Sequence, residues 1–173
     1  MNVRAQQDVT HRGERRQGFV SNYLLYLLAA ASDKASADFH VQVRARGLRV
    51  SEWRVLACLS DRDGLMVTQL AHLALMEQSR LTKIIDQMAA SDLVTRANDE
   101  RDRRRVRVFL TAKGRRSAED LVAVAKAHEA HIADQLAPGD AELLKDALRR
   151  INALFGEGDA TSGAHTDRGR VAI

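Results

Sequence analysis

The amino-acid sequence predicts a mainly α-helical fold with one small β-hairpin, and three observations lead to this class. Apolar residues recur at helical spacing through most of residues 18–155. Two short helical segments follow each other almost directly between residues 68 and 90, which is typical of a helix-turn-helix. Immediately after them, two runs of strand-like residues flank a polar turn, which indicates a hairpin.

Length and composition indicate one compact domain. The 173 residues suffice for one ordinary domain and hardly for two. The longest apolar run, Tyr23 to Ala31, is far shorter than the roughly 20 residues that cross a bilayer, so we expect no membrane association. The polar amino terminus has no signal-peptide core, which predicts a cytoplasmic location. The net charge of +4 permits a polyanionic partner without identifying one.

Both ends of the chain differ from its middle. Residues 1–17 and 156–173 lack apolar periodicity and are rich in Gly, Asp, Thr and Arg. Such segments cannot bury enough apolar surface to order themselves. We therefore expect a disordered amino-terminal arm and a disordered tail.

Four helices are predicted before the hairpin. The first runs from about residue 18 to Arg46, with Gly47 as its stop. The second begins at Ser51 as N-cap and leaves through the turn DRDG at residues 61–64. Thr68 is the predicted cap of the third helix. The fourth places four apolar side chains inward, namely Leu81, Ile84, Ile85 and Met88.

The predicted hairpin joins residues 93–96 to residues 105–111, and its inner face consists of Val106, Val108 and Leu110. The polar turn between them, ANDERDRR, carries Arg101, Arg103 and Arg104 at its tip. Such a tip is either a solvated charged loop or an arm for the minor groove of DNA, where negative potential is focused. The helix-turn-helix directly upstream favours the second interpretation.

Two further helices follow the hairpin. Thr111 is the predicted cap of a long helix with an apolar stripe, and Pro138 and Gly139 separate it from the last helix. The stripe consists of Leu121, Val124, Ala125, His128, Ile132 and Leu136. The last helix, residues 140–155, carries a wider apolar surface than one neighbouring helix would cover. A partner chain is the natural cover.

Residues 20–155 resemble the MarR (multiple-antibiotic-resistance regulator) family of bacterial winged-helix transcription factors. The segment DERDRRRVRVFLTAKG is similar to the family's wing signature, with Asp102 two residues before Arg104 and a strand that ends in Leu-Thr-x-x-Gly. Residues 81–96 are similar to the family's recognition helix, and residues 47–59 to its second helix. One departure is the turn LALMEQS before the recognition helix, where the family often has a small residue or Gly.

The resemblance implies one domain over residues 18–155 with two lobes. A winged helix-turn-helix DNA-binding lobe spans residues 50–111, and residues 18–46 and 112–155 form a helical dimerisation lobe. The first and the last two helices would interlock into a two-fold homodimer. Two-fold symmetry implies a palindromic double-stranded operator with half-sites roughly 34 Å apart. Repression is the commoner outcome in the family.

The resemblance also implies which side chains contact DNA. Arg104 would enter the minor groove while Asp102 orients it or a neighbouring basic side chain. On the recognition helix, Arg and Gln can read base edges, and Ser, Thr and Lys can hold phosphates. The expected DNA contacts are Gln78, Ser79, Arg80, Thr82, Lys83, Arg101, Asp102, Arg103, Arg104 and Arg105.

For a regulatory signal, the resemblance implies a small aromatic effector, phenolic or carboxylate, bound between the two lobes. The expected lining residues are Ser21, Asn22, Tyr26, His40 and Trp53. Core positions for Trp53 and Tyr26 and a surface position for His40 are the structural alternatives. Two other functions stay open: a redox-sensing regulator that acts through Cys58, and a DNA-binding protein without an effector.

Catalysis and metal binding find little support in the sequence. It has no Gly-x-Ser-x-Gly elbow, no glycine-rich phosphate loop and no cysteine pair, so we expect no catalytic residues and no cofactor. His128 and His131 could share a metal ion, but two ordinary helix residues are the favoured interpretation. Cys58 lies inside the second helix, where a core position is favoured over redox sensing.

Overall fold

The computed structural model of the protein describes residues 18–99 and 105–156. The elements are α1 (Phe19–Asn22), α2 (Leu24–Ala45), α3 (Val50–Asp61), β1 (Leu65–Met66), α4 (Val67–Leu73), α5 (Gln78–Ala90), β2 (Val94–Asn98), β3 (Val106–Leu110), α6 (Ala112–Ala133) and α7 (Asp140–Gly156). The predicted class, mainly helical with one hairpin, is confirmed. The helices described at residues 18–99 and 105–156 include none that is both long and apolar enough to cross a membrane.

The chain divides after His128 into two compact units. The predicted lobes, residues 18–46 with 112–155 and residues 50–111, stay a prediction. The predicted amino-terminal arm lies outside the described residues, and so does the predicted tail except for Gly156, which ends α7.

The first predicted helix is interrupted. Tyr23 has an extended backbone with ψ 119°, so that α1 ends at Asn22 and α2 begins at Leu24. The apolar periodicity continues through this break, and no Pro or Gly lies at Tyr23. The break therefore could not be predicted from the sequence pattern. The predicted stop is confirmed: Gly47 has φ +72° and its N–H donates to the carbonyl of Arg44 at 2.9 Å.

The predicted caps of α3 and α4 are each wrong by two residues. Arg49 precedes the first turn of α3, so Ser51 already lies inside the helix. Met66 precedes α4, and Thr68 is its second residue. In both helices the acceptor is the side chain three residues after the cap. Glu52 accepts the Arg49 N–H at 2.8 Å, and Gln69 accepts the Met66 N–H at 3.3 Å.

The sheet has three antiparallel strands in the order β1, β3, β2. Within the hairpin, Val94 pairs with Leu110 and Asn98 with Val106. The hairpin is therefore confirmed, but β2 runs two residues beyond the predicted Arg96 and shortens the polar turn. β1 was not predicted, because two residues are too few for an alternating pattern.

The hydrophobic core lies within the first unit and centres on α5. The predicted inward residues Leu81, Ile84, Ile85 and Met88 are all buried. They pack with side chains from α2, α3, α4, the sheet and the first half of α6. Burial of each such side chain contributes roughly 1.5–3 kcal/mol, so this cluster fixes the orientation of α5.

The Leu-Thr-x-x-Gly segment joins the hairpin to α6 through close contacts. The Thr111 hydroxyl accepts the Gly114 N–H at 2.9 Å, which confirms the predicted cap, and donates to the Asp92 carbonyl at 2.6 Å. A Cβ atom on Gly114 would lie only 1.9 Å from the Leu93 carbonyl oxygen. Glycine is therefore required where α6 passes the chain that leaves α5.

The predicted stripe of α6 is longer than the helix. α6 ends at Ala133, so Leu136 lies in the turn that follows it. Pro138 and Gly139 lie between α6 and α7, as the sequence predicts. Several large apolar side chains of α7 are exposed, namely Leu143, Leu144, Leu154 and Phe155.

Candidate nucleic-acid interface

The first half of α5 presents a polar face to solvent. Leu81, Ile85 and Met88 are fully buried on one side of the helix. Five polar side chains predicted to contact DNA are all exposed, namely Gln78, Ser79, Arg80, Thr82 and Lys83. The Thr82 hydroxyl donates to the Gln78 carbonyl at 2.9 Å, which leaves its oxygen available as an acceptor.

The hairpin carries the other predicted contacts. Arg105 is exposed at the start of β3, with its Nη1 3.9 Å from the sulfur of Met66. Arg101, Asp102, Arg103 and Arg104 lie outside the described residues. Their predicted roles therefore stay predictions.

An acid that the sequence did not single out holds the turn end of the hairpin. Asp99 directly follows β2 and is only 7% exposed. Its Oδ2 accepts from Nε of Arg107 at 2.5 Å, and Nη1 of the same arginine donates to the Gly64 carbonyl at 2.9 Å. The Asp99 N–H also donates to the Arg105 carbonyl at 2.8 Å. This pair ties the turn end of the hairpin to Gly64, directly before β1.

A second missed acid, Asp63, connects the turn after α3 to the hairpin and to α6. Its Oδ1 accepts the Leu110 N–H at 2.9 Å and the Gly64 N–H at 3.1 Å. Its Oδ2 pairs with Nη2 of Arg115 at 2.8 Å. The DRDG segment was identified only as a turn, because the partners of Asp63 are 47 and 52 residues away in sequence.

Arg96 attaches β2 to α5. Its Nη2 donates to the Thr82 carbonyl at 3.2 Å and forms an ion pair with Asp86. A cleft of about 510 Å³ opens beside this contact, between the start of α4, α5 and the hairpin. The cleft is lined by Met66, Val67, Thr68, Gln78, Thr82, Arg96, Arg105 and Val106.

This cleft brings together three of the predicted DNA contacts, namely Gln78, Thr82 and Arg105. Among the residues that the structure describes, the charged side chains that line it are Arg105 and Arg96, of which Arg96 is paired with Asp86. A concave surface with an excess of positive charge attracts a polyanion.

The predicted effector residues fall into two separate groups. Trp53 packs edge-on against Phe39 with ring centroids 5.2 Å apart, and the His40 ring lies 6.4 Å from the same phenylalanine. Tyr26 precedes His40 by 14 residues on the same helix, about 21 Å along its axis. Ser21 and Asn22 precede it still further, in α1, and are exposed.

His40 and Cys58, two residues considered for signal sensing, have shifted pKa values. Burial, and then the charges of Arg44 and Arg54, lower the pKa of His40, so its ring is neutral at neutral pH. Burial, and then the charge of Asp61, raise the pKa of the half-buried Cys58 thiol. A thiol with a raised pKa stays protonated and reacts slowly with oxidants, which counts against redox sensing.

Comparison with known proteins gives consistent matches. A sequence model of the MarR family matches residues 48–106. The MarR family transcriptional regulator SPO1453 from Silicibacter pomeroyi DSS-3 is 57% identical in sequence. Its crystal structure aligns over 80% of this chain and 98% of that chain, with a TM-score of 0.73. NadR, crystallised with 4-hydroxyphenylacetate, is 26% identical over 72% of this chain and 88% of NadR, with a TM-score of 0.66.

Curated relatives match over shorter segments. The transcriptional activatory protein BadR from Rhodopseudomonas palustris is 37% identical over 99 residues, which are 56% of this chain and 57% of BadR. The chain spans about half the length of the curated relatives it matches. The crystallised SPO1453 is instead covered almost completely, at 57% identity. At that identity and coverage, the chain belongs to the MarR family of transcriptional regulators.

Proposed function

We propose that the chain is a dimeric repressor that binds a palindromic operator in double-stranded DNA and is released from it by a small aromatic ligand. The observation that carries DNA binding is the division of α5 into two sides. Leu81, Ile85 and Met88 are fully buried, while every polar side chain from Gln78 to Lys83 is exposed. Core packing therefore determines which side of α5 is presented to DNA.

In this proposal α5 enters the major groove. Arg80 and Gln78 have the donor and acceptor patterns that read guanine and adenine edges, respectively. Ser79, Thr82 and Lys83 hold the phosphate backbone or add base contacts. All five belong to the first two turns of the helix, which is the end that recognition helices present to base edges.

The hairpin enters the adjacent minor groove. Arg105 lines the cleft beside α5. A contact of Arg104 and its neighbours with the minor groove is proposed from the resemblance to the family wing. The Asp99–Arg107 pair supports this role, because it holds the ends of the two strands that adjoin the arginine-rich turn. Asp102 is proposed to orient Arg104 in the same manner.

The homodimer is proposed from apolar side chains that stay exposed in two segments. Phe19 of α1 is 77% exposed and Phe155 of α7 is 82% exposed. The first segment also exposes Val20, Tyr23, Leu24, Leu25, Tyr26 and Leu27, and the second Leu143, Leu144 and Leu154. Apolar patches of this extent mark interaction surfaces. A second copy of the chain is the proposed cover.

The test of DNA binding is selection from a library of random duplexes. We expect a palindrome whose half-sites lie about one helical turn apart. Arg80→Ala is expected to cost roughly 1–3 kcal/mol and to relax specificity at one base pair, while Arg104→Ala costs about as much and lowers the salt dependence. Arg116→Ala, an exposed α6 arginine, is the charge-matched control. Failure to enrich any palindrome would contradict the proposal.

The aromatic ligand is supported by the NadR complex and by the aromatic pair of Phe39 and Trp53 beside His40. Ser21, Asn22 and Tyr26 lie too far along the chain to share a small pocket with them, so their participation requires the second copy. A ligand releases DNA only through different affinities for the bound and free conformations, since tight binding alone shifts no equilibrium.

The effector is tested by titrating the protein–operator complex with hydroxylated benzoates, phenylacetates and pyridine carboxylates. At least one compound should release DNA. Trp53→Ala or His40→Ala should reduce this release and leave ligand-free DNA binding largely intact. Release by oxidant alone, abolished in Cys58→Ser, would support the redox alternative. A complex that no compound and no oxidant dissociates would support a regulator without an effector.

A further inference from the structure

We infer that Arg49 is a positioning residue that holds the recognition helix at a fixed orientation and thereby sets the operator spacing the dimer accepts. This inference rests on the proposed function. Its basis is a contact between the start of α3 and the second half of α5. None of the residues in this contact is among the predicted DNA contacts. The contact involves Arg49, Glu52 and Gln87 and is called the Arg49 clasp below.

Arg49 occupies a position that would favour a different residue. It is the N-cap of α3, where Ser, Thr, Asp or Asn normally accept a backbone N–H through a side-chain oxygen. A guanidinium group has no acceptor and cannot cap the helix in this way. The side chain of Arg49 is therefore available for another contact.

That contact crosses from α3 to α5. Nη2 of Arg49 donates to Oε1 of Gln87 at 2.6 Å and to Oε1 of Glu52 at 2.7 Å. The other oxygen of Glu52 accepts the Arg49 N–H at 2.8 Å, and Glu52 is only 7% exposed. The buried carboxylate is thus held by the backbone, and it holds the guanidinium that contacts Gln87.

The charged state of Glu52 agrees with this geometry. Burial alone would raise the pKa of this carboxyl group, but the hydrogen bonds from the Arg49 side chain and backbone outweigh burial and lower it. Glu52 is therefore ionised at neutral pH, and its hydrogen bonds to Arg49 are charge-assisted and short.

Two arginines hold α5 from different directions. Arg96 of β2 pairs with Asp86, and Arg49 contacts Gln87. Neighbouring residues of an α-helix point about 100° apart around its axis. Contacts at two such positions oppose rotation of the helix in both senses. Gln87 also lies one turn beyond Lys83 on the same side of α5, so the clasp acts on the surface proposed to face DNA.

Orientation of α5 matters because a two-fold dimer places two recognition helices in successive major grooves. If α5 rotates or tilts in each subunit, the distance between the two reading surfaces changes. A loosened helix would accept operators of several spacings with lower affinity for the preferred one. The clasp therefore predicts an effect on spacing that loss of a positive charge alone would not produce.

Two single variants and their combination test the clasp. Arg49→Thr removes the guanidinium and supplies a hydroxyl cap for α3, so the helix keeps a favourable start. Gln87→Ala removes the acceptor on α5. Arg46→Gln is the matched control, since it removes one charge and an ion pair with Asp120 at 2.6 Å without touching α5. Each protein is measured against the operator selected by the wild-type chain and against duplexes with one base pair added or removed between half-sites.

Arg49→Thr gains a hydroxyl cap for α3 but leaves the buried Glu52 carboxylate with the backbone N–H alone, so it should unfold at a somewhat lower temperature than the wild type and stay folded at the temperature of the binding assay. It should bind the selected operator about threefold to thirtyfold more weakly than Arg46→Gln does, with a similar loss for Gln87→Ala. The double variant should bind the operator no more weakly than the single variant with the lower affinity, because both substitutions break the same contact. Discrimination against the altered spacings should fall at least about threefold, and should be unchanged in Arg46→Gln.

Equal affinity and equal spacing discrimination in Arg49→Thr and Arg46→Gln would overturn the inference and leave the proposed function standing. Additive losses in the double variant would overturn it too, because Arg49 and Gln87 would then act separately. A wild-type chain that enriches no duplex would instead overturn the proposed function, and the inference with it.

Discussion

At the scale of single residues, Leu75 has an unfavourable backbone conformation in the turn before the recognition helix. It has φ +56° and its side chain is 80% exposed. The left-handed conformation costs a residue with a side chain roughly 1–2 kcal/mol, and glycine does not have this cost. Part of the gain is offset, because glycine makes the unfolded chain more flexible and so raises the entropy lost on folding. We expect Leu75→Gly to raise the free energy of unfolding by about 0.5–1 kcal/mol in urea denaturation.

The control for this substitution is Leu73→Gly. Leu73 is also exposed but lies inside α4, so glycine there should lower the stability by about 1 kcal/mol. If both variants were destabilised equally, loss of the leucine side chain would matter more than backbone strain. The result bears on the LALMEQS turn, where the sequence departs from the residues that the family often has.

Gly114 is expected to tolerate no side chain. A Cβ atom there would lie 1.9 Å from the backbone carbonyl oxygen of Leu93, which cannot move as a flexible side chain would. Gly114→Ala should therefore lower the free energy of unfolding by at least about 2 kcal/mol. Gly18→Ala, where nothing lies within 4 Å, should change it little. Comparable effects of the two substitutions would show that α6 can shift away from Leu93.

Glu52 is expected to make stability depend on pH. Its folded pKa is lowered below the ordinary value, so it contributes stability that is present above the unfolded pKa and is lost as pH falls through the folded pKa. The difference in unfolding free energy between the wild type and Glu52→Gln should therefore shrink as pH falls from roughly 5 to 3. A difference that stays constant over this range would show that the charge of Glu52 does not contribute.

Some residues of the site could be predicted from the sequence and others could not. The exposed side of α5 followed from helical periodicity, because a buried stripe determines its opposite face. Asp99, Asp63 and Arg49 act through partners on other elements, and no local pattern identifies those partners. The one local indication for Arg49 is its position as the N-cap of α3. That position was not recognised, because Ser51 is a more usual N-cap residue.

At the scale of elements, the hairpin depends on the ion pair beside its turn as much as on the arginines of the turn itself. Asp99 is an acid within an arm proposed to approach DNA, so charge alone predicts that its removal tightens binding. Because Asp99 holds Arg107 at 2.5 Å, we expect the opposite. Asp99→Asn should weaken operator binding by about 1–2 kcal/mol in titrations at several salt concentrations.

The control is Glu119→Gln, which removes an exposed acid of α6. It should leave affinity unchanged or raise it slightly. Tighter binding by Asp99→Asn at every salt concentration would contradict the positioning role and favour simple charge repulsion. Circular dichroism on each variant should show that the helical content is retained, so that any loss of affinity belongs to the hairpin.

The elements that the sequence predicted best are those with long, one-sided patterns. α5, α6 and α7 have clear apolar periodicities, and each lies where the sequence predicts a helix, although the sequence did not define the first residue of α5 and Leu136 falls outside α6. The break at Tyr23 was missed because both helices share one apolar pattern, and β1 was missed because its two residues pair only through β3. Elements that depend on distant partners leave no local signal.

At the scale of the whole molecule, the proposed dimer explains why so much apolar surface stays exposed in a chain with a complete core. In α7, Leu143 and Leu154 are 11 residues apart, which is about three helical turns, and Leu144 and Phe155 repeat the same interval. These four exposed side chains therefore share one face of the helix. A repeated apolar face without cover favours association.

We expect Leu144→Glu combined with Phe155→Glu to weaken the homodimer, because association would bury two carboxylates in an apolar surface. Sedimentation over a range of concentrations should show the wild type as a dimer and the variant as a monomer or a much weaker dimer. Arg149→Glu, on the opposite side of α7, should leave the dimer intact. The variant should also bind the palindromic operator far more weakly than the wild type, since each recognition helix then reads only one half-site. A variant that remains dimeric at the concentrations where the wild type does would place the interface elsewhere.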